Sequence, residues 1–150
     1  MIYLVHHGDA VGPDIDPQRP LSALGRSQAE ALARECASRG VVPRGIWHSG
    51  KLRARQTAEP FWRLCNPLAT FEAIRGLQPD DPPAWIRDRL IEEDRDIVIV
   101  GHMPHLPATL ALLTADADTS AIVFPLHGLV ALEADGPRWK ERWRIASVDG

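Results

Sequence analysis

Three short stretches of this chain combine imidazole, guanidinium and hydroxyl groups with glycine: His6-His7-Gly8, Ser49-Gly50-Lys51-Leu52-Arg53 and Gly101-His102. A neutral imidazole is a good nucleophile and can form a covalent intermediate. A guanidinium presents a planar fork of donors that matches phosphate oxygens. A second imidazole can donate to a transferring group as its charge shifts. Phosphoryl transfer asks mainly for positioning and charge stabilisation, and His7, Arg53 and His102 supply both if the fold gathers them. Each residue alone says little, since single histidines at strand ends are mostly structural and single arginines at helix starts mostly surface charges.

The elements around these stretches suggest that they are gathered. Ile2–Val5 is a short apolar run that reads as a buried strand, and His6-His7-Gly8 follows it. Gly45–His48 reads as a second strand, followed by Ser49–Arg53. Ile97–Val100 reads as a central buried strand, followed by Gly101-His102. In open α/β sheets ligands bind beyond the carboxyl ends of the strands, so all three stretches belong at one end. Gly8 is expected to turn the backbone tightly toward a ligand.

Between these strands the pattern turns helical. Ser22 reads as an N-cap for a helix over Ala23–Ser38, with Leu24, Ala31, Leu32 and Cys36 near helical spacing and Gly40 as a stop. Further helices are expected over Lys51–Leu64, kinked or ended early at Pro60, over Ala84–Glu92 and over Leu106–Leu113. Thr70–Ile74 reads as a strand, and 11–20 and 78–83 as loops. Leu129–Glu133 and Trp139–Ala146 read as two strands joined through Asp135-Gly136-Pro137. The expected fold is α/β: a three-layer α/β/α sandwich with a mostly parallel sheet and an antiparallel edge hairpin.

At 150 residues, 45% apolar and 25% charged, the chain fits one domain spanning 1–150. The net charge of -3 argues against a nucleic-acid partner, which needs many basic groups against phosphates. No apolar run reaches the roughly 18 residues of a membrane span, and the four-residue run after Met1 is too short for a signal peptide. Cys36 and Cys65 form no CxxC pair and read as free, at least half-buried thiols of a reducing compartment. The five tryptophans read as packing residues. The expected location is the cytoplasm, and the expected state a monomer.

The motifs also resemble those of the histidine phosphatase superfamily. Leu4-Val5-His6-His7-Gly8-Asp9-Ala10 is similar to its Leu-Val-Arg-His-Gly-Glu/Asp-Ala signature. Arg19-Pro20-Leu21-Ser22 with Gly25 resembles its Arg-Pro-Leu-Thr/Ser segment. Ser49–Thr57 resembles its Arg-Ala-x-x-Thr helix start, and Val98–Pro104 its third motif. The short length resembles SixA-type phosphohistidine phosphatases. The resemblance implies a phosphoglycerate mutase-like fold and a phosphoryl group accepted by His7. Arg19, Arg53, His102, His6 and Gly8 would surround its oxygens, and water would then release phosphate. It implies no metal and no cofactor, and a phosphorylated protein or small phosphorylated molecule as partner.

Two departures matter. His6 stands where the superfamily has Arg, removing a charged donor whose hydrogen bond is worth about 1.5–3 kcal/mol. His6→Arg is therefore expected to raise kcat/KM. The segment Leu77–Asp81 holds no Glu to act as general acid, although Asp80 or Asp81 could approach the site. That favours phosphohistidine, which leaves as an imidazole, over an alkoxide. Two other readings stay open: a phosphate-binding protein that turns over weakly because of His6, and a metal hydrolase built on His6, His7, His102 and His105. No HExxH spacing supports the latter, and Arg53 would oppose a cation. His48 and His127 read as structural or rim residues, and Arg55 as a solvent or ion-pair residue.

Overall fold

A computed structural model describes residues 1–115 and 123–147. In chain order the elements are β1 (Ile2–His6), α1 (Ala23–Ser38), β2 (Gly45–His48), α2 (Leu52–Cys65), β3 (Thr70–Ala73), α3 (Pro83–Ile91), β4 (Ile97–Gly101), α4 (His105–Thr114), β5 (Leu129–Asp135) and β6 (Arg138–Ile145). The six strands form one sheet in the order β3-β2-β4-β1-β5-β6. Strands β1 to β4 run parallel to one another, while β5 and β6 are antiparallel. The mostly parallel sheet with an antiparallel edge is therefore present.

Alternation along the strands divides the core in two. Tyr3, Val5, Ile46, Val98 and Val100 face Leu32, Cys36, Ala58 and Phe61 of α1 and α2. Ile2, Leu4, Trp47, Ile97 and Ile99 face Ile86, Leu90, Leu106 and Leu110 of α3 and α4. Both sheet faces are thus covered by helices, which makes the three layers. Strand β4 sits between β2 and β1 and is buried along its whole length, as an unbroken apolar run requires.

Two local expectations need correction. Helix α2 does not end early at Pro60 but continues to Cys65. Pro60 is buried, and packing of the α2 face offsets the backbone bond that its missing N–H forgoes. In α1 the buried stripe is Gly25, Gln28, Ala29, Leu32, Ala33 and Cys36, so Leu24 lies outside it at 48% exposure. The Ser22 hydroxyl does cap α1, accepting the Gly25 N–H at 3.0 Å.

Candidate active site

Strands β1 and β4 are parallel neighbours with His6 paired to Gly101. The residues that follow, His7 and His102, must therefore lie side by side. The His7 N–H donates to the Gly101 carbonyl at 3.2 Å, and the two imidazole centroids are 5.1 Å apart.

The His7 ring has a defined polarity. Its Nδ1 lies 2.7 Å from the Gly8 carbonyl oxygen, which can only accept, so Nδ1 carries the proton. The Nε2 atom is left with its lone pair. Burial pushes the His7 pKa down to about 4, and Arg53, His127 and Arg19 add to that, against the Gly8 bond. The ring is thus neutral at physiological pH.

Gly8 is tied into the scaffold behind the cluster. Its N–H is committed to the Thr57 hydroxyl at 3.0 Å, and Thr57 in turn donates to the Arg53 carbonyl at 2.8 Å. A Cβ on Gly8 would sit 2.5 Å from the Gly25 carbonyl oxygen. Glycine is needed there because α1 packs on the chain behind the cluster. Asp9 completes that join by accepting the Ser22 hydroxyl at 2.6 Å.

Arg53 lies in the first turn of α2, where Thr57 anchors the helix to the end of β1. Its Nε is buried with no partner among the described residues, and burial and then Arg19 lower the guanidinium pKa. Arg19 comes from the 11–20 loop, whose ends are joined by a bridge between Ala10 and Leu21. The Arg19 backbone is left-handed, at φ 50°, and its Nε donates to the Val11 carbonyl at 3.1 Å. A non-glycine residue held in that region marks a place where structure overrides local preference. Among the described residues neither arginine has an acidic partner within salt-bridge distance. Arg55, by contrast, reaches Glu59 at 3.8 Å on the exposed side of α2.

His6 lies beside His7, at 4.5 Å between ring centroids. Burial, then His7, His127 and Arg53, press its pKa down to about 3. It is a neutral ring and brings no charge to the cluster. Its Nδ1 accepts the His127 backbone N–H at 2.8 Å, which places its proton on Nε2. The His127 ring stacks on His6 at 4.8 Å and 9°, and its Nδ1 donates to the His7 carbonyl at 2.7 Å. His127 is therefore part of this cluster, which its sequence surroundings did not reveal. The available signal is strand direction: β5 is antiparallel to β1, so residues just before β5 meet residues just after β1.

His102 is 1% exposed, with Nε2 2.7 Å from the Ser49 hydroxyl and Nδ1 buried without a partner among the described residues. Burial, then His7, Arg53 and Lys51, push its pKa down to about 3. The two aspartates do not join this group. Asp80 is exposed, and Asp81 accepts the Gln78 N–H at 2.9 Å, closing a turn. Gln78 instead reaches inward, donating from Nε2 to the Ser49 carbonyl at 2.7 Å. His48 is structural, accepting the Gly50 N–H at 3.0 Å and packing on Phe71. His105 hydrogen-bonds within α4 to Thr109. Among the described residues no group of three or more His, Cys, Asp or Glu is placed to hold a metal ion. Among the same residues no helix is long and apolar enough to cross a membrane.

Two neutral imidazoles and two arginines thus face one end of the sheet, and among the described residues the arginines have no acidic partner and Arg53 Nε and His102 Nδ1 no hydrogen-bond partner. Such a group suits an anion and a nucleophilic attack on it.

Comparison with known proteins gives the same direction. Residues 2–78 match the histidine phosphatase superfamily, branch 1. An uncharacterised protein of Picosynechococcus sp. is 31% identical over 113 residues, which cover 70% of this chain and 67% of that protein. A structure of the protein histidine phosphatase SixA complexed with tungstate has a TM-score of 0.85 at 21% identity, covering 97% and 96% of the two chains. A putative phosphohistidine phosphatase SixA from Agrobacterium tumefaciens gives 0.79 at 25% identity with the same coverage. A mycobacterial glucosyl-3-phosphoglycerate phosphatase gives 0.74 at 18%, covering 97% and 99%.

Proposed function

Since the chain belongs to the histidine phosphatase superfamily, we propose that this phosphatase works through a phosphohistidine on His7 and acts on protein phosphohistidine. The observation that carries the reading is the His7 tautomer: Nδ1–H is tied to the Gly8 carbonyl, and neutral Nε2 is left to attack. In the first step Nε2 bonds to phosphorus as the bond to the leaving group breaks. The substrate ring, already protonated on its other nitrogen, keeps the N–P electron pair and leaves as neutral imidazole, so no outside acid is needed. In the second step water attacks phosphorus, the N–P bond breaks, and Nε2 recovers its lone pair. Arg53 and Arg19 balance charge on the phosphoryl oxygens, with His102 Nδ1 alongside. These groups need no metal to neutralise the oxygens.

The preference for phosphohistidine rests on the missing acid. Asp81 is committed to Gln78 and Asp80 is exposed, so among the described residues neither aspartate of this segment is placed to protonate a leaving alkoxide. An imidazole leaves more readily. The Agrobacterium neighbour carries the same description. The test is to trap the phosphoenzyme: an acid-labile, base-stable phosphate, absent from His7→Ala, with higher kcat/KM on a phosphohistidine peptide than on an alkyl monoester. An acid-stable adduct, or turnover lost with a chelator, refutes the mechanism. Equal rates on both substrates refute the preference.

One observation favours a second reading. His6 is neutral where the superfamily signature has a permanent cation, which suits a phosphate-binding protein with weak turnover. That reading requires phosphate binding with no hydrolysis above the His7→Ala level.

A further inference from the structure

The hydroxyl of Ser49 belongs to no step described above, yet it touches the ring that does. It lies 2.7 Å from His102 Nε2 and is the only partner of that ring among the described residues. The two atoms share one proton, and its owner follows from the other bonds of Ser49. The Lys51 backbone N–H points at the same oxygen at 3.3 Å, and a backbone N–H is always a donor. Ser49 Oγ therefore already accepts. If it also accepted from His102 Nε2–H, its own hydrogen would have no acceptor among the described residues, in a residue 7% exposed. That arrangement would leave two buried groups unpaired, the Ser49 hydrogen and the Nδ1 lone pair, whereas the reverse leaves only Nδ1–H to await a ligand. The hydroxyl accordingly donates to Nε2, and the ring proton resides on Nδ1.

We propose that Ser49 is a positioning residue that holds His102 in the Nδ1–H tautomer, so that the neutral ring donates a hydrogen bond to the transferring phosphoryl group. A neutral imidazole has one N–H to give. On Nδ1, the orphan buried atom, it meets an oxygen as a donor; on Nε2, it would leave a lone pair facing that oxygen. A histidine locked in the wrong tautomer is a large catalytic loss in hydrolases of other folds. Without an anion beside it, burial and the neighbouring His7, Arg53, Lys51 and His6 hold the His102 pKa down at about 3, so the ring meets an incoming phosphoryl group with one proton to place. The brace extends outward. Gln78 donates to the Ser49 carbonyl, and Asp81 closes the turn that presents Gln78. The segment without a Glu thus holds Ser49 instead.

This inference rests on the phosphatase reading, and the experiment separates the two. Ring 15N–1H correlation spectra at neutral pH are recorded for the unaltered protein, Ser49→Ala, Ser49→Thr and Ser49→Cys, with kcat, KM and phosphoenzyme trapping on each. His102 in the unaltered protein is expected to show a protonated Nδ1 and a bare Nε2. Ser49→Ala is expected to lose that signature and about 100-fold in kcat, with less change in KM. Ser49→Thr keeps a hydroxyl and is expected to restore both. Ser49→Cys, close in size but a weak donor, is expected to fall between them, and it serves if the alanine variant does not fold. An Nε2–H ring in the unaltered protein, or a tautomer and kcat untouched in Ser49→Ala and Ser49→Cys, overturns the role of Ser49. Failure to form phosphohistidine on His7, with the Nδ1–H signature intact, overturns the phosphatase reading instead.

Discussion

The Nδ1 atom of His6 accepts the backbone N–H of His127 at 2.8 Å, and the two rings stack face to face. This pair occupies the place where the superfamily signature carries an arginine beside the nucleophile. It replaces a permanent charge with a neutral, locally satisfied ring. His6→Arg is therefore expected to raise kcat/KM by about tenfold, the value of one charged hydrogen bond. It also breaks the stack, so urea unfolding should show a loss of about 1–3 kcal/mol. Unchanged or lower activity in a folded variant would mean that His6 already does what the arginine would.

Removing the nucleophile is the severest change. His7→Ala should lower hydrolysis of a chromogenic aryl phosphate by about 10⁴-fold or more, with no labelled enzyme after acid-free quenching. Vanadate binding, measured by calorimetry, should survive in weakened form because Arg19 and Arg53 remain.

Arg53 contributes a fork as well as a charge. Arg53→Ala is expected to cost about 100-fold or more in kcat/KM. Arg53→Lys should recover only part of it, since an ammonium cannot make two parallel bonds from one plane. Full recovery in the lysine variant would assign Arg53 a purely electrostatic role.

Stability should fall as the solution is acidified. Burial first, then neighbouring cations and imidazoles, holds His6, His7 and His102 near about 3, about 4 and about 3. In the unfolded chain they titrate near 6.5. The unfolded state therefore binds more protons between those values. Stability is greatest above pH 6.5, declines as pH falls through that value, and levels off below the folded values. The urea midpoint should drop between pH 7 and pH 5, where carboxylates stay ionised. A flat midpoint over that range would contradict the burial of these rings.

The contact behind the cluster is equally testable. Gly8→Ala sets a Cβ 2.5 Å from the Gly25 carbonyl oxygen, and backbone cannot yield as a side chain does. A loss of about 1–3 kcal/mol is expected, read from thermal unfolding, together with reduced kcat, because Gly8 presents the carbonyl that orients His7. A variant as stable and active as the parent would show that α1 can shift.

Much of this site is legible along the chain. His7, Arg53 and His102 each follow an apolar run long enough only for a strand. In an α/β chain such positions share one end of the sheet. Apolar runs at Ile2–Val5 and Ile97–Val100 are local signals, and so is the Ser22 cap. Features that depend on pairing between distant segments are not legible in this way. His127 joins His6 because β5 returns antiparallel beside β1, a choice not written in Pro125–Gly128. Gln78, and neither aspartate, reaches the site because the turn closed by Asp81 aims it at Ser49. Pro60 stays inside α2 because packing outweighs one lost backbone bond. Amino-acid order is enough to say which groups are chemically able and which elements carry them, because both are local properties of the chain. Which nitrogen of each imidazole bears the proton is settled only on folding, because it depends on the neighbour at hydrogen-bond distance. For His6 and His102 that neighbour comes from a distant part of the chain, His127 and Ser49 respectively.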